Sequence, residues 1–77
     1  MKLFLLRALR EAQGQPLTEA ALVAAVQAVY PESLVSTVRE VLRGMEREGY
    51  LVAVADDLTG MIHYGLTRKG EMRAALL

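Results

Sequence analysis

Three arginines at four-residue steps, Arg39, Arg43 and Arg47, are the residues of this chain whose type and spacing most readily suggest chemistry. On a helix, positions four apart lie one above another, so the three guanidinium groups form one slanting basic ridge. A guanidinium can grip guanine O6 and N7 with two parallel hydrogen bonds, or pair with a phosphate. Ser36 and Thr37, near the start of the same stretch, are short enough to reach base edges or backbone, and Glu40 projects from the same side. The same residues also describe a solvated helix face. Glu32, Glu40, Glu46 and Glu48 outnumber the arginines, and Arg43 has Glu40 and Glu46 three residues away on either side. Groove contact and local ion pairing therefore both stand as readings of the ridge.

A second basic pair, Arg68-Lys69, follows Thr67 at the start of a short helical stretch. Cations there oppose the helix dipole by about 0.3–1 kcal/mol. Either an anion held beside Thr67 explains them or that small cost is tolerated. Catalytic and metal chemistry find little to work with. The chain has one histidine, His63, no cysteine and no Gly-rich phosphate loop, and no two histidines stand at ligand spacing. Asp56-Asp57 falls far short of the oxygen count of a calcium site and is better read as a turn. No enzyme, metal or cofactor is expected.

The ridge needs a helix to carry it, and the pattern from Ser33 to Glu48 predicts one, with Ser33 as N-cap. Leu34, Val35, Val38, Val41, Leu42 and Met45 fall along one line at 100° per residue and should face inward. Gly49 tolerates the backbone that ends such a helix. Tyr50–Ala55 and Met61–Leu66 read as two strands joined by a turn at Asp56–Gly60, with Ile62, Tyr64 and Leu66 on one face. Thr67 then caps a last helix, Arg68–Leu76, expected to pack Met72, Ala75 and Leu76 inward.

Two earlier helices complete the set. The first covers Lys2–Gln13, with Leu5, Leu6, Leu9 and Ala12 on one side, and Gly14-Gln15-Pro16 ends it. Thr18 caps the second, whose inner stripe is Leu22, Val26 and Val29 and which Tyr30-Pro31 stops. Outside that stripe, Ala20, Ala24 and Ala28 form a bare ridge beside Val23. Helix propensity alone accounts for such alanines; a second subunit approaching closely is the sharper reading. Leu3, standing among charged residues of the first helix, is a further candidate contact. The expected fold is mainly α with a small β-hairpin, in one domain spanning residues 1–77.

Composition supports association but not an electrostatic grip on nucleic acid. A chain of 77 residues with no disulfide buries only about 60% of its unfolded surface, and 53% apolar content favours a homodimer as the remaining source of stability. Nine basic residues balance nine acidic ones, so DNA affinity would have to come from local geometry. Met1–Leu9 is apolar but broken by Lys2 and Arg7, which argues against a membrane span or leader. A cytoplasmic location is expected.

With those elements in place, the spacing Leu42, Met45, Glu46, Gly49, Tyr50, Leu51 resembles the recognition-helix end and wing start of winged helix-turn-helix regulators of the ArsR, MarR and PadR kinds. Tyr64-Gly65-Leu66-Thr67-Arg68-Lys69-Gly70 resembles their strand-to-helix junction, and in size the chain is similar to small winged-helix proteins of Mu-like prophages. The resemblance implies a three-helix core, a two-stranded wing at Tyr50–Leu66, and a dimer reading double-stranded DNA, with Ser36, Thr37, Arg39, Glu40 and Arg43 toward the major groove. The chain departs from those regulators at the wing tip, where Asp56 and Asp57 replace the usual basic residues and would repel phosphate. A protein-interaction module without DNA binding is the alternative expectation.

Overall fold

The computed structural model describes all residues from Met1 to Leu77. The elements run α1 (Lys2–Glu11), β1 (Leu17–Thr18), α2 (Glu19–Val29), α3 (Val35–Arg47), β2 (Leu51–Ala55), β3 (Ile62–Leu66) and α4 (Arg68–Ala74). One antiparallel sheet has the order β1-β3-β2. The fold is thus mixed α/β, four helices with three strands, and the expected two-stranded hairpin gains a third strand. Leu17 and Thr18 pair with Tyr64 and His63. Pro16 before them favours the extended backbone that such pairing needs.

Helices and sheet close over one apolar cluster. Leu5, Leu6 and Leu9 of α1 meet Leu22, Val23 and Val26 of α2, Val38, Leu42 and Met45 of α3, Leu51 and Tyr64 of the sheet, and Ala74 of α4. None of the buried residues is charged. Caps expected at Thr18 and Thr67 are present: each hydroxyl accepts from the backbone N–H three residues on, Ala21 and Gly70. Gly49, at φ +84°, ends α3 in the left-handed conformation that β-carbons disfavour.

The structure corrects several of the sequence expectations at the helix ends. Ser33 is not the cap of α3; Leu34 occupies that position with no side-chain bond. The Ser33 carbonyl instead accepts from Gln27 Nε2 at 3.1 Å, so a side chain of α2 holds the serine backbone. Val29, Leu34 and Val35 are exposed rather than inward, because the end of α2 and the start of α3 overhang the core at the turn that joins them. The last helix ends at Ala74, two residues short of Leu76; its inward positions are Gly70 and Ala74, while Met72 within it and Ala75 and Leu76 beyond it are exposed. The first helix ends at Glu11, two residues short of Gln13, which takes a positive φ of 55°.

Candidate nucleic-acid interface

The outer face of α3 carries Ser36, Thr37, Arg39, Glu40, Arg43 and Arg47, and all six are exposed. They stand there because Val38, Leu42 and Met45, each at 0% exposure, pin the opposite face to the core. A helix so anchored presents its polar face as a rigid surface. Within that surface the arginines differ. Arg43 and Arg47 make no ion pair or side-chain hydrogen bond inside the chain, and the local pairs with Glu40 and Glu46 are not formed; the molecule's two ion pairs are Lys2–Glu48 and Arg39–Glu19.

Arg39 is tied across to α2. Its Nε donates to Glu19 Oε1, joining the second turn of α3 to the first residue of α2. Glu19 is the more enclosed partner, its side chain 13% exposed against 54% for Arg39, and its Oε2 has no hydrogen-bond partner. Between these two helices and the hairpin lies a groove lined by Ala20, Ala24, Val35, Met61 and Ile62. The nearby Tyr64 phenol is pushed above the ordinary tyrosine range by burial, with Glu19 and Glu46 adding to the shift and Arg43 opposing it.

The basic pair at the start of α4 divides as well. Arg68 is exposed and carries no internal partner. Lys69 is engaged twice: its Nζ donates to the Glu48 carbonyl at 2.6 Å and lies 4.5 Å from the centre of the Tyr50 ring. It thus satisfies a free carbonyl at the C-terminus of α3 and makes a cation–π contact. That accounts for a cation near Thr67 without an anion beside it. Thr67 Oγ1 also donates to the Gly49 carbonyl, and Thr67 N–H donates to the Tyr50 carbonyl at 3.0 Å. The end of α3, the start of β2 and the start of α4 are therefore knitted at one point.

Close packing at this knot explains Gly70. A β-carbon there would lie 2.1 Å from the Tyr50 carbonyl oxygen. The hairpin is closed at its other end by Asp56, whose Oδ1 accepts from Leu58 and Thr59 N–H at 2.8 and 3.0 Å. Those two bonds hold its carboxyl below the usual aspartate range. Asp57 beside it is exposed and unpaired, so the hairpin tip is acidic as the sequence suggests.

Of the candidate association residues, Leu3 is exposed at 52% on α1, and Ala20, Ala24 and Ala28 form an exposed row on α2. Val23 is not part of that row. It is 7% exposed and belongs to the core, the place the expected inner stripe gave to Val29. Sequence reasoning also missed Glu19, Glu48 and Tyr50 as partners of the basic residues. Glu19 reads locally as a favourable charge at a helix start, and nothing in the chain's pattern places it beside Arg39, 20 residues on.

No three histidine or carboxylate side chains converge in a metal-binding arrangement, and no helix is long and apolar enough to cross a membrane. Comparison of the chain with protein-family models, with curated proteins and with solved structures finds no match in any of the three.

Proposed function

We propose that this chain is a winged helix-turn-helix domain that binds double-stranded DNA as a homodimer in the cytoplasm and regulates transcription, with α3 in the major groove. The observation that carries the reading is the outer face of α3: Arg43 and Arg47 exposed and without internal partners, on a helix whose other face is locked into the core. The element order, with α2 and α3 preceding a hairpin and α4 following it, suits a recognition helix flanked by a wing. Ser36, Thr37 and Glu40 supply short and acidic groups for base edges, and Arg68 adds a free cation. Arg39 joins them only by leaving Glu19. Arg39 is half-exposed, but Glu19 is only 13% exposed with Oε2 already unpartnered, so giving up the pair for a phosphate costs more than breaking a surface ion pair. Lys69 contributes by bracing α3 rather than by touching DNA.

A salt series of fluorescence anisotropy with a random-sequence duplex pool tests the reading. Phosphate contact makes log K fall linearly with log salt; flat anisotropy at low salt would sink it. The runner-up reading is a protein-interaction module, and its motivating observation is the hairpin tip. There Leu58, at 97% exposure, projects beside Asp56 and Asp57, a surface suited to an apolar and basic protein partner and unsuited to phosphate. A folded protein that binds no duplex at low salt, while a pull-down recovers a stoichiometric protein partner that is lost when Leu58 is replaced by serine, would favour that alternative.

A further inference from the structure

The sheet order leaves β2 on an outer edge. Its register with β3 runs from Leu51↔Leu66 to Ala55↔Ile62, and beyond the strand ends Asp56 N–H donates to Met61 and Thr67 N–H to the Tyr50 carbonyl. Those bonds set the parity of the ladder. Val52 and Val54 exchange hydrogen bonds with β3, while Leu51, Ala53 and Ala55 turn their N–H and C=O groups outward. No turn or cap bond within the chain reaches the outward groups. Natural edge strands are commonly guarded by charge, proline or a bulge. Leu51-Val52-Ala53-Val54-Ala55 contains no charge and no proline, and its register is unbroken.

We propose that this edge is the self-association surface: β2 of one copy pairs antiparallel with β2 of a second copy about a two-fold axis through Ala53, joining two sheets into one. This gives a surface to the homodimer of the DNA-binding reading and does not itself require DNA. The strand suits such an axis in three ways. An axis through Ala53 places Leu51 opposite the partner's Ala55 and Ala53 opposite its own copy, so each outward N–H meets a carbonyl. The strand is also nearly symmetric about Ala53. Val52 faces the partner's Val54, in the non-hydrogen-bonded positions where cross-strand side chains come closest. Both valines are solvent-exposed in the single chain, at 48% and 60%, so pairing covers apolar surface. Third, antiparallel pairing brings the acidic hairpin tip with the unpaired Asp57 toward the start of the partner's β2, where the stem of Lys69 lies 3.8 Å from the position of a β-carbon on Gly49. The acidic tip, which phosphate would repel, thereby approaches a cation.

Sedimentation velocity over a concentration series tests this, with Ala53→Pro as the blocking variant. The Ala53 N–H faces outward, so proline removes no internal bond and is tolerated on an edge. The expected result is a concentration-dependent dimer for the wild type and a monomer with unchanged circular dichroism for Ala53→Pro. A wild type monomeric throughout, or a folded Ala53→Pro that still dimerises, overturns the proposal. A register test stands if that variant fails to fold. The chain has no cysteine, so Val52→Cys and Val54→Cys proteins can be mixed and mildly oxidised. Predominant mixed 52–54 disulfides support the axis; a statistical mixture of the three possible disulfides overturns it. Failure here is distinguishable from failure of the DNA reading, because Arg43→Ala/Arg47→Ala removes DNA contact and leaves the dimer intact.

Discussion

Replacing Gly70 with alanine should destabilise the protein even though alanine is the better helix former. The new β-carbon would lie 2.1 Å from the Tyr50 carbonyl oxygen and 3.1 Å from Leu66 Cδ2, where ordinary contact begins at 3.4 Å. The leucine methyl can swing aside. The carbonyl cannot, because it accepts the Thr67 N–H at 3.0 Å, so α4 must be pushed outward. That movement disturbs Ala74, fully buried, and the Arg10 Nη1 bond to the Ala74 carbonyl at 3.1 Å. Overpacking of this severity costs about 3 kcal/mol, and helix propensity returns about 1 kcal/mol. The net loss of about 2 kcal/mol corresponds to a fall in Tm of roughly 8–16 °C for a domain of this size. Thermal unfolding followed by circular dichroism is the assay, and Gly44→Ala is its control. A β-carbon at Gly44 meets only Arg47 Nη2 at 3.8 Å, so that change should stabilise by about 0.5–1 kcal/mol. A Gly70→Ala protein as stable as the wild type, or two substitutions shifting Tm in the same direction, would refute the reasoning.

Lys69→Met should lower stability by about 1 kcal/mol through loss of the Glu48 carbonyl bond and the cation–π contact, measured by urea unfolding, whereas Arg68→Met should leave the midpoint unchanged. A double-mutant cycle on Glu19 and Arg39 should give a coupling above the roughly 1 kcal/mol ceiling of a fully exposed pair, because the Glu19 carboxylate is enclosed. In the DNA-binding reading, Glu19→Gln should also tighten duplex binding by freeing Arg39, read by anisotropy. The hairpin should carry an acid-linked transition. Because backbone N–H bonds from Thr59 and Leu58 hold the Asp56 carboxyl below the ordinary aspartate range, its stabilisation is present above that range and is lost as pH falls through the lower folded value. Asp56→Asn should remove that part of the pH dependence in a Tm series from pH 7 down to roughly pH 2.

Much of the chain's organisation was legible because it is written in local chemistry. Thr18, Gly49, Asp56 and Thr67 each act through backbone groups within a few residues, and the structure finds them in those roles. The apolar line of α3 likewise picked out Val38, Leu42 and Met45 and hence the face left outside. What escaped depends on distant partners. A two-residue strand at Leu17–Thr18 has no periodicity to read and exists only through β3. Leu34, Val35 and Val29 continue helical apolar patterns but overhang the core, which a pattern cannot reveal. Lys69 and Arg39 looked alike, as free cations, until Glu48, Tyr50 and Glu19 were brought beside them by the fold.

In the proposed function, the outer face of α3 meets phosphate and bases through Arg43 and Arg47. The most direct measurement of that contact is the slope of log K against log salt for duplex DNA, compared between wild type and Arg43→Ala/Arg47→Ala. Each phosphate contact contributes about −0.9 to that slope, so the double variant should bind more weakly, with a slope shallower by roughly 1–2. A double variant with the wild-type affinity and slope, while still folded, would contradict it.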